Sequence, residues 1–331
     1  MAKKKRSKKS KKKVNNSTIL RYIAWALAVI ALSLAAVLIG YYFGYKDAQH
    51  KAIKEAVHEK KIAKKEAKQK SFHKRLQALL KKESKAYNSA SHEISSESLA
   101  HPPQIVKIPK VIPNHRAKKA KLAIIIDDVQ TAKDVRAIKS LHLPLTMSFL
   151  PPRPGRPNSA KLAAKEPFYM VHLPLEAMHF SANEPNTLRV SDSQEKIDKQ
   201  IALIKREFPR VHYINNHTGS KFTDSKAAME RLIRALDANH INFIDSRTIG
   251  STKAPIVEKE FHNLYVARDV FLDHHMDKAY VLHQIKEAIR VAKAHGHAIA
   301  IGHPHKNTLE AIYESKALLK NVDLVLVKDL Y

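Results

Sequence analysis

The string Lys121-Leu-Ala-Ile-Ile-Ile-Asp-Asp128 constrains this chain more than any other. A short run rich in β-branched residues reads as a buried strand of the parallel type. It ends in two adjacent carboxylates, and like charges side by side in a core resist joint ionisation. The pair therefore belongs at the strand's carboxyl end, where α/β folds gather their chemistry. The same grammar recurs downstream: an apolar run, then His, Asp, Asn or Arg. Such repetition is the mark of an enzyme-like site.

Strands are expected at Leu122–Ile126, Leu145–Leu150, Phe168–Leu173, Val211–Ile214, Ile241–Ile244, Leu264–Val266, Ala298–Ile301 and Leu324–Val327. Helical patterns fall between several of them, at Ala132–Ser140, Ser159–Lys165, Ser193–Glu207, Ser225–Ala238 and Asp277–His295. Ser193, and Asp224 or Ser225, are suited to N-caps. Strand–helix alternation predicts a parallel sheet. Seven or eight strands in residues 119–331 favour closure. The expected fold class is α/β, a distorted (β/α) barrel of about seven parallel strands.

Upstream the texture differs. Residues 1–17 form a basic tail, with nine Lys or Arg in the first 13 positions. Within an anchor over residues 18–45, Tyr22 to Tyr45 runs without a formal charge, long enough to span a bilayer as a helix. Trp25 and Tyr22 at one end, and Tyr41, Tyr42 and Tyr45 at the other, resemble interfacial anchors. The basic block keeps the N-terminus cytoplasmic. The run is long for a cleavable signal peptide, and no convincing small-residue cleavage site follows it. A single pass through the inner membrane is expected, with the C-terminal domain periplasmic or otherwise extracytoplasmic. Residues 46–86 read as a charged helical stalk with an imperfect apolar stripe, open to weak self-association. Residues 87–118, with Pro102, Pro103, Pro109 and Pro113, read as an extended linker.

The net charge is +28, of which +21 lies in residues 1–118 and +7 in residues 119–331. The excess thus sits outside the folded domain. The lysine block is a topogenic signal that also favours anionic lipid. No nucleic-acid partner is expected, because interleaved aromatics are missing near it. The chain has no cysteine, which excludes disulfides and leaves His and carboxylates to hold any metal.

In a parallel barrel the strand ends converge on one face. Asp128, His172 and His217 are the leading trio of metal ligands. Asp127 is then placed as general base and His303 as general acid. A bound metal would lower the pKa of its water and polarise the attacked carbonyl. Asn216 and Ser220 flank His217 and serve either the site or a local turn. Asp245 with Arg247, and Arg268 with Asp269 or Asp273, serve as structural ion pairs or as groups beside the substrate. Gly219, Gly250 and Gly302 lie near these segments, where backbone approaches a ligand closely.

Six strings, IIIDDV (124–129), HLPLE (172–176), NNHTGSKFT (215–223), FIDSRT (243–248), RDVFLD (268–273) and IGHPH (301–305), carry a resemblance. Over residues 121–331 the chain resembles the divergent polysaccharide deacetylases, relatives of the carbohydrate esterases. The resemblance implies a distorted β/α barrel and a divalent metal, zinc being the expected ion. It implies removal of N- or O-acetyl groups from a cell-envelope polysaccharide or exopolysaccharide. In typical members the paired aspartates divide into base and ligand, and a late histidine is the acid. Those roles carry to Asp127, Asp128 and His303. Typical members also have two histidines separated by three residues, where this chain has His172 and Glu176. Either Glu176 or His217 then completes the ligand set. The altered motif also admits a non-catalytic glycan-binding or envelope scaffold using the same cleft. The retained Asp pair and His303 favour turnover.

Overall fold

The computed structural model describes residues 16–80, 119–179 and 184–330. The basic tail to residue 15, the end of the stalk and the linker lie outside the described residues. The chain divides into two units, Met1–Phe72 and His73–Tyr331.

The first unit is built on helix α1 (Asn16–Leu80), 65 residues without a break. The expected span and the expected stalk are therefore one element, about 98 Å long at 1.5 Å per residue. No proline interrupts it, and Gly40 and Gly44 are too isolated to end it. Its opening stretch carries exposed Leu, Ile, Val, Trp and Tyr side chains on all sides. A helix that is apolar all round has no aqueous face. This one is long and apolar enough to cross a membrane.

The second unit is a parallel (β/α) barrel. Strands β1 (Lys121–Val129), β2 (Thr146–Phe149), β3 (Met170–Leu175), β4 (Tyr213–Thr218) and β5 (Asn242–Asp245) follow one another round the sheet. Two short strands, β6 (Val266–Ala267) and β7 (Val270–Phe271), and then β8 (His297–Gly302) complete the order β6-β5-β4-β3-β2-β1-β8-β7. The two ends of that path are one segment. Its first half pairs with β5 and its second with β8. Between them Arg268 N donates to Asp245 O at 2.9 Å and Asp269 N to Ile299 O at 2.9 Å. Residues 266–271 thus act as the closing strand. β9 (Asp323–Val325) lies along the first three residues of β1.

Helices connect the strands: α2 (Ala132–Lys139), α3 (Ser159–Ala163), α4 (Gln194–Glu207), α5 (Ser220–Asp224), α6 (Lys226–Asp237), α7 (Ala254–Glu260), α8 (Lys278–His295), α9 (Lys306–Glu314) and α10 (Lys316–Leu319). Ser193 and Ser225 cap α4 and α6, accepting from Lys196 N and Ala228 N. Asp277 caps α8 through Ala279 N and Tyr280 N. Each cap satisfies amides that the first helical turn leaves without partners.

Ala123, Ile125, Met170, Ile244, Phe271, Ile299 and Ile301 fill the barrel with Val327, and Tyr213 and Val266 pack against them. Each large side chain so buried stabilises the fold by about 1.5–3 kcal/mol. Strand side chains repeat with period two. Two positions beyond Ile125, Met170, Tyr213, Ile244, Val266 and Ile301 stand Asp127, His172, Asn215, Ser246, Arg268 and His303. The apolar plug is the floor, and this polar ring is the next layer up.

Candidate metal centre and acid–base site

Strict alternation would aim Asp127 and Asp128 to opposite faces of the sheet. β1 avoids this with a bulge: Ile126 pairs with Met147 but Val129 pairs with Phe149, three steps against two. Asp128 takes a left-handed backbone, φ 55°. For a residue with a Cβ this costs about 1–2 kcal/mol. The distortion brings both carboxylates to one histidine. His172 Nε2 lies 3.6 Å from Asp127 Oδ2 and 3.5 Å from Asp128 Oδ1. Thr218 and Arg247, just past β4 and β5 or at their ends, are also left-handed. Strained backbone of this kind concentrates at functional sites.

Asn215 reaches across the barrel to Asp127. Its Nδ2 donates to both Asp127 oxygens at 2.9 Å, and its Oδ1 accepts from Ser148 Oγ at 2.6 Å. Burial pushes Asp127 up to about 7, against the pull of His303 and Asn215. Burial pushes Asp128 up too, but the facing His217, His303 and His172 outweigh it and hold this carboxyl well below its ordinary range. Two neighbouring aspartates are thereby separated into a proton-exchanging group and a permanent anion. Burial, then His217, drives His172 well below the ordinary imidazole range, so it is neutral.

Asp128, His172 and His217 are all buried and each offers a ligand atom, these atoms lying within 4.8 Å of one another. His217 Nδ1 stands 3.0 Å from Asp128 Oδ1. One anionic carboxylate and two imidazoles that converge in this way fit a divalent cation. The donor set thus suits a divalent metal.

Opposite this cluster stands His303. Its Nδ1 lies 2.9 Å from Asp273 Oδ1, and its amide donates to Asp273 Oδ2 at 2.7 Å. Thr308 Oγ1 donates to the same oxygen at 2.7 Å. Burial alone would lower the imidazole, but the Asp273 charge and hydrogen bond raise it to about 9. The partner is moved the other way, to about 2, as His303 outweighs its burial. His303, Asp127, His172 and Arg268 line one cavity, with Phe271 and Ile301 as its apolar wall.

Residues 124–331 match the family described as divergent polysaccharide deacetylase. The chain belongs to that family. It is 32% identical over 210 residues to the uncharacterized protein YibQ of Escherichia coli K12, covering 63% of this chain and 66% of that protein. The chain therefore spans slightly less than two thirds of that relative's length. It is 33% identical over 198 residues to an uncharacterized protein of Haemophilus influenzae Rd, covering 59% of this chain and 70% of that one. The crystal structure of ATU2773 from Agrobacterium tumefaciens C58 shares the fold, with a TM-score of 0.57, 20% identity, and 66% of this chain matched to 92% of that one.

The remaining expected residues separate into two groups. Glu176 stands apart from the His–Asp cluster: its carboxylate takes Lys221 Nζ and Val190 N, both at 2.8 Å. Four steps of extended chain, about 13 Å along a strand, carry it from His172. The group that meets His172 and Asp128 is His217, from the neighbouring strand. Ser220 accepts from Met178 N at 2.9 Å, at the start of α5. Asn216 lines the cavity while accepting from Ser246 N and donating to Thr218 O. Asp245 is buried among Arg247 N, Thr252 Oγ1 and Tyr265 OH, burial raising its pKa. Asp269 accepts from Ile299 N at 2.8 Å. The side-chain ion pairs expected of Arg247 and Arg268 do not form among the described residues. Of Arg247, Asp245 meets the backbone N–H and not the side chain, and Arg268 donates to the carbonyls of Ser246 and Arg247.

Proposed function

We propose that the chain is a membrane-anchored, extracytoplasmic, metal-dependent deacetylase of an acetylated polysaccharide. One arrangement carries this reading: Asp127 at about 7 and His303 at about 9 line a single cavity, with the Asp128–His172–His217 cluster beside them. A binder has no use for a base and an acid tuned in this way. Asp128, His172 and His217 would hold the ion, zinc being the expected one. When bound, it would supply Lewis acidity to a water and to the acetyl carbonyl.

The protein's own groups supply proton movement and orientation. Asp127, ionised, takes a proton from the attacking water as the new C–O bond forms. Asn215 keeps that carboxylate turned to the cavity. With His303 Nδ1 held by Asp273, the transferable proton is on Nε2. It passes to the departing amine or hydroxyl as the C–N or C–O bond breaks, releasing acetate. Phe271 and Ile301 form a dry wall suited to the acetyl methyl.

The uncharged run from Tyr22 to Tyr45 within α1 supports the anchor, and the basic residues ahead of it support a cytoplasmic N-terminus. The barrel would then meet polysaccharide outside the membrane. The test uses the full chain in detergent, with metal content and acetate release from acetylated chitooligosaccharides as readouts. Asp128→Ala is expected to lose the metal. Asp127→Asn should keep it and lose roughly 10²–10⁴-fold in rate. Equal activity in both variants overturns the assignment, and bound metal with no acetate from any glycan returns the chain to the scaffold reading.

A further inference from the structure

The proton-transfer scheme leaves one buried cation unused. Arg268 is 8% exposed and lines the cavity beside Asp127, His172 and His303. Its Nε donates to Ser246 O at 2.7 Å and its Nη2 to Arg247 O at 2.9 Å. Its guanidinium carbon lies 4.9 Å from the Phe271 ring centroid. These contacts fix the orientation of the fork, yet none of them is anionic. The carboxylates whose charge reaches it, Asp245, Asp127 and Asp269, form no ion pair with it among the described residues, and Asp273 is held by His303. Burial, with the charge of Arg247 second, brings Arg268 down to about 10, so it stays protonated at neutral pH. Arg247 is half-buried and makes no ion pair among the described residues.

Buried charges are ordinarily paired, because removing an ion from water costs several kcal/mol. Two carbonyls and an aromatic face occupy part of the guanidinium and leave its remaining N–H groups uncommitted. An arginine held in this way suits a planar, two-oxygen anion. We propose that Arg268, with Arg247 beside it, receives a carboxylate on the substrate. The preferred glycan is then an acetylated sugar that also carries a carboxylate close to the acetyl group. This rests on the deacetylase reading for its location and deepens it by naming the substrate class. Free acetate, the product, has the same chemistry, and the experiment separates the two sources.

Three ligands are compared on the full chain in detergent: a disaccharide containing N-acetylmuramic acid, its methyl ester, and di-N-acetylchitobiose. Binding is measured by calorimetry after chelation of metal, and acetate release is measured with metal restored. The acid is expected to bind at least tenfold more tightly than the ester or the neutral sugar. Its kcat/KM should exceed theirs by a similar factor. Arg268→Gln should bring the acid-to-ester ratio near one, and Arg268→Lys should restore part of it. The ester comparison on the unaltered chain stands even where the variants fail to fold. Equal binding of all three ligands overturns the inference, as does a uniform loss of rate in Arg268→Gln with the ratio unchanged. Inhibition by acetate that Arg268→Gln relieves, with no preference for the acid, also overturns it. Equal acetate release from all three leaves the deacetylase and removes the anion site. Selective binding with no acetate from any of them leaves the anion site and removes the deacetylase.

Discussion

At the residue scale, proton placement depends on partners that sequence spacing does not display. His303 acts as an acid only while protonated. Its pKa of about 9 is raised by Asp273, so the rate falls as pH rises through that value, while the Asp127 base, at about 7, sets the acid limb below it. In Asp273→Asn the carboxylate is gone and burial dominates. The alkaline limb should then move to lower pH, with about a tenfold or greater loss of rate at pH 8. NMR titration of the His303 imidazole checks the shift independently of turnover. Asn215→Ala should lower kcat about tenfold with little change in KM, because it frees the base. Asp127, Asp128, His172, His217 and His303 were all legible as polar residues closing apolar runs. Asn215 and Asp273 stood in the same strings, but their roles were not legible. Each acts through a hydrogen bond to a residue 88 or 30 positions away. Only the closed sheet brings those positions together. Asn215 did leave a signal: it lies two positions before His217, on the same face of β4.

At the element scale, the parallel strands and long capped helices were readable because their patterns are local. Their bounds were less so. β3 continues through Pro174 to Leu175, although proline argues against a central strand. The position is tolerated because β3 pairs with β2 only at Met170 and Val171, so beyond them one edge has no partner strand. The turn after β4 shows the other local constraint. Gly219 has φ +99°, and an added Cβ would stand 2.8 Å from Leu175 Cβ. Gly219→Ala should therefore destabilise the barrel by about 2–4 kcal/mol, from left-handed strain and overpacking together. Gly296, which ends α8 at φ +87°, has nothing within 4 Å of such a Cβ. Gly296→Ala should cost only about 1 kcal/mol. Thermal unfolding of the two variants side by side measures the difference, and equal shifts would contradict the close approach at Leu175. The bulge in β1 was not legible at all, since no residue in Ile-Asp-Asp-Val demands it. It follows from the need to turn two adjacent side chains to one side.

For the whole molecule, charge and hydropathy are unevenly divided between the two units. The opening of α1 exposes a continuous apolar surface, while the barrel carries little of the net charge. The full chain should sediment with membranes and stay there through an alkaline carbonate wash, which strips proteins held by charge alone. Removal of residues 1–45 should release the barrel to the soluble fraction. Extraction of the full chain by carbonate would argue against a spanning helix. Sequence predicted the span and the stalk as neighbours but not their continuity, because nothing in composition distinguishes two abutting helices from one.

The six residues that close the barrel join its opposite edges by covalent chain rather than by a ladder of their own. Arg268 sits at that joint, its amide held by β5 and its guanidinium turned to the cavity. An anion drawn onto the guanidinium therefore pulls on the hoop where it is fastened. Occupancy of the cavity and rigidity of the barrel become a single variable, and a filled site should exchange its β5 and β8 amide hydrogens more slowly than an empty one.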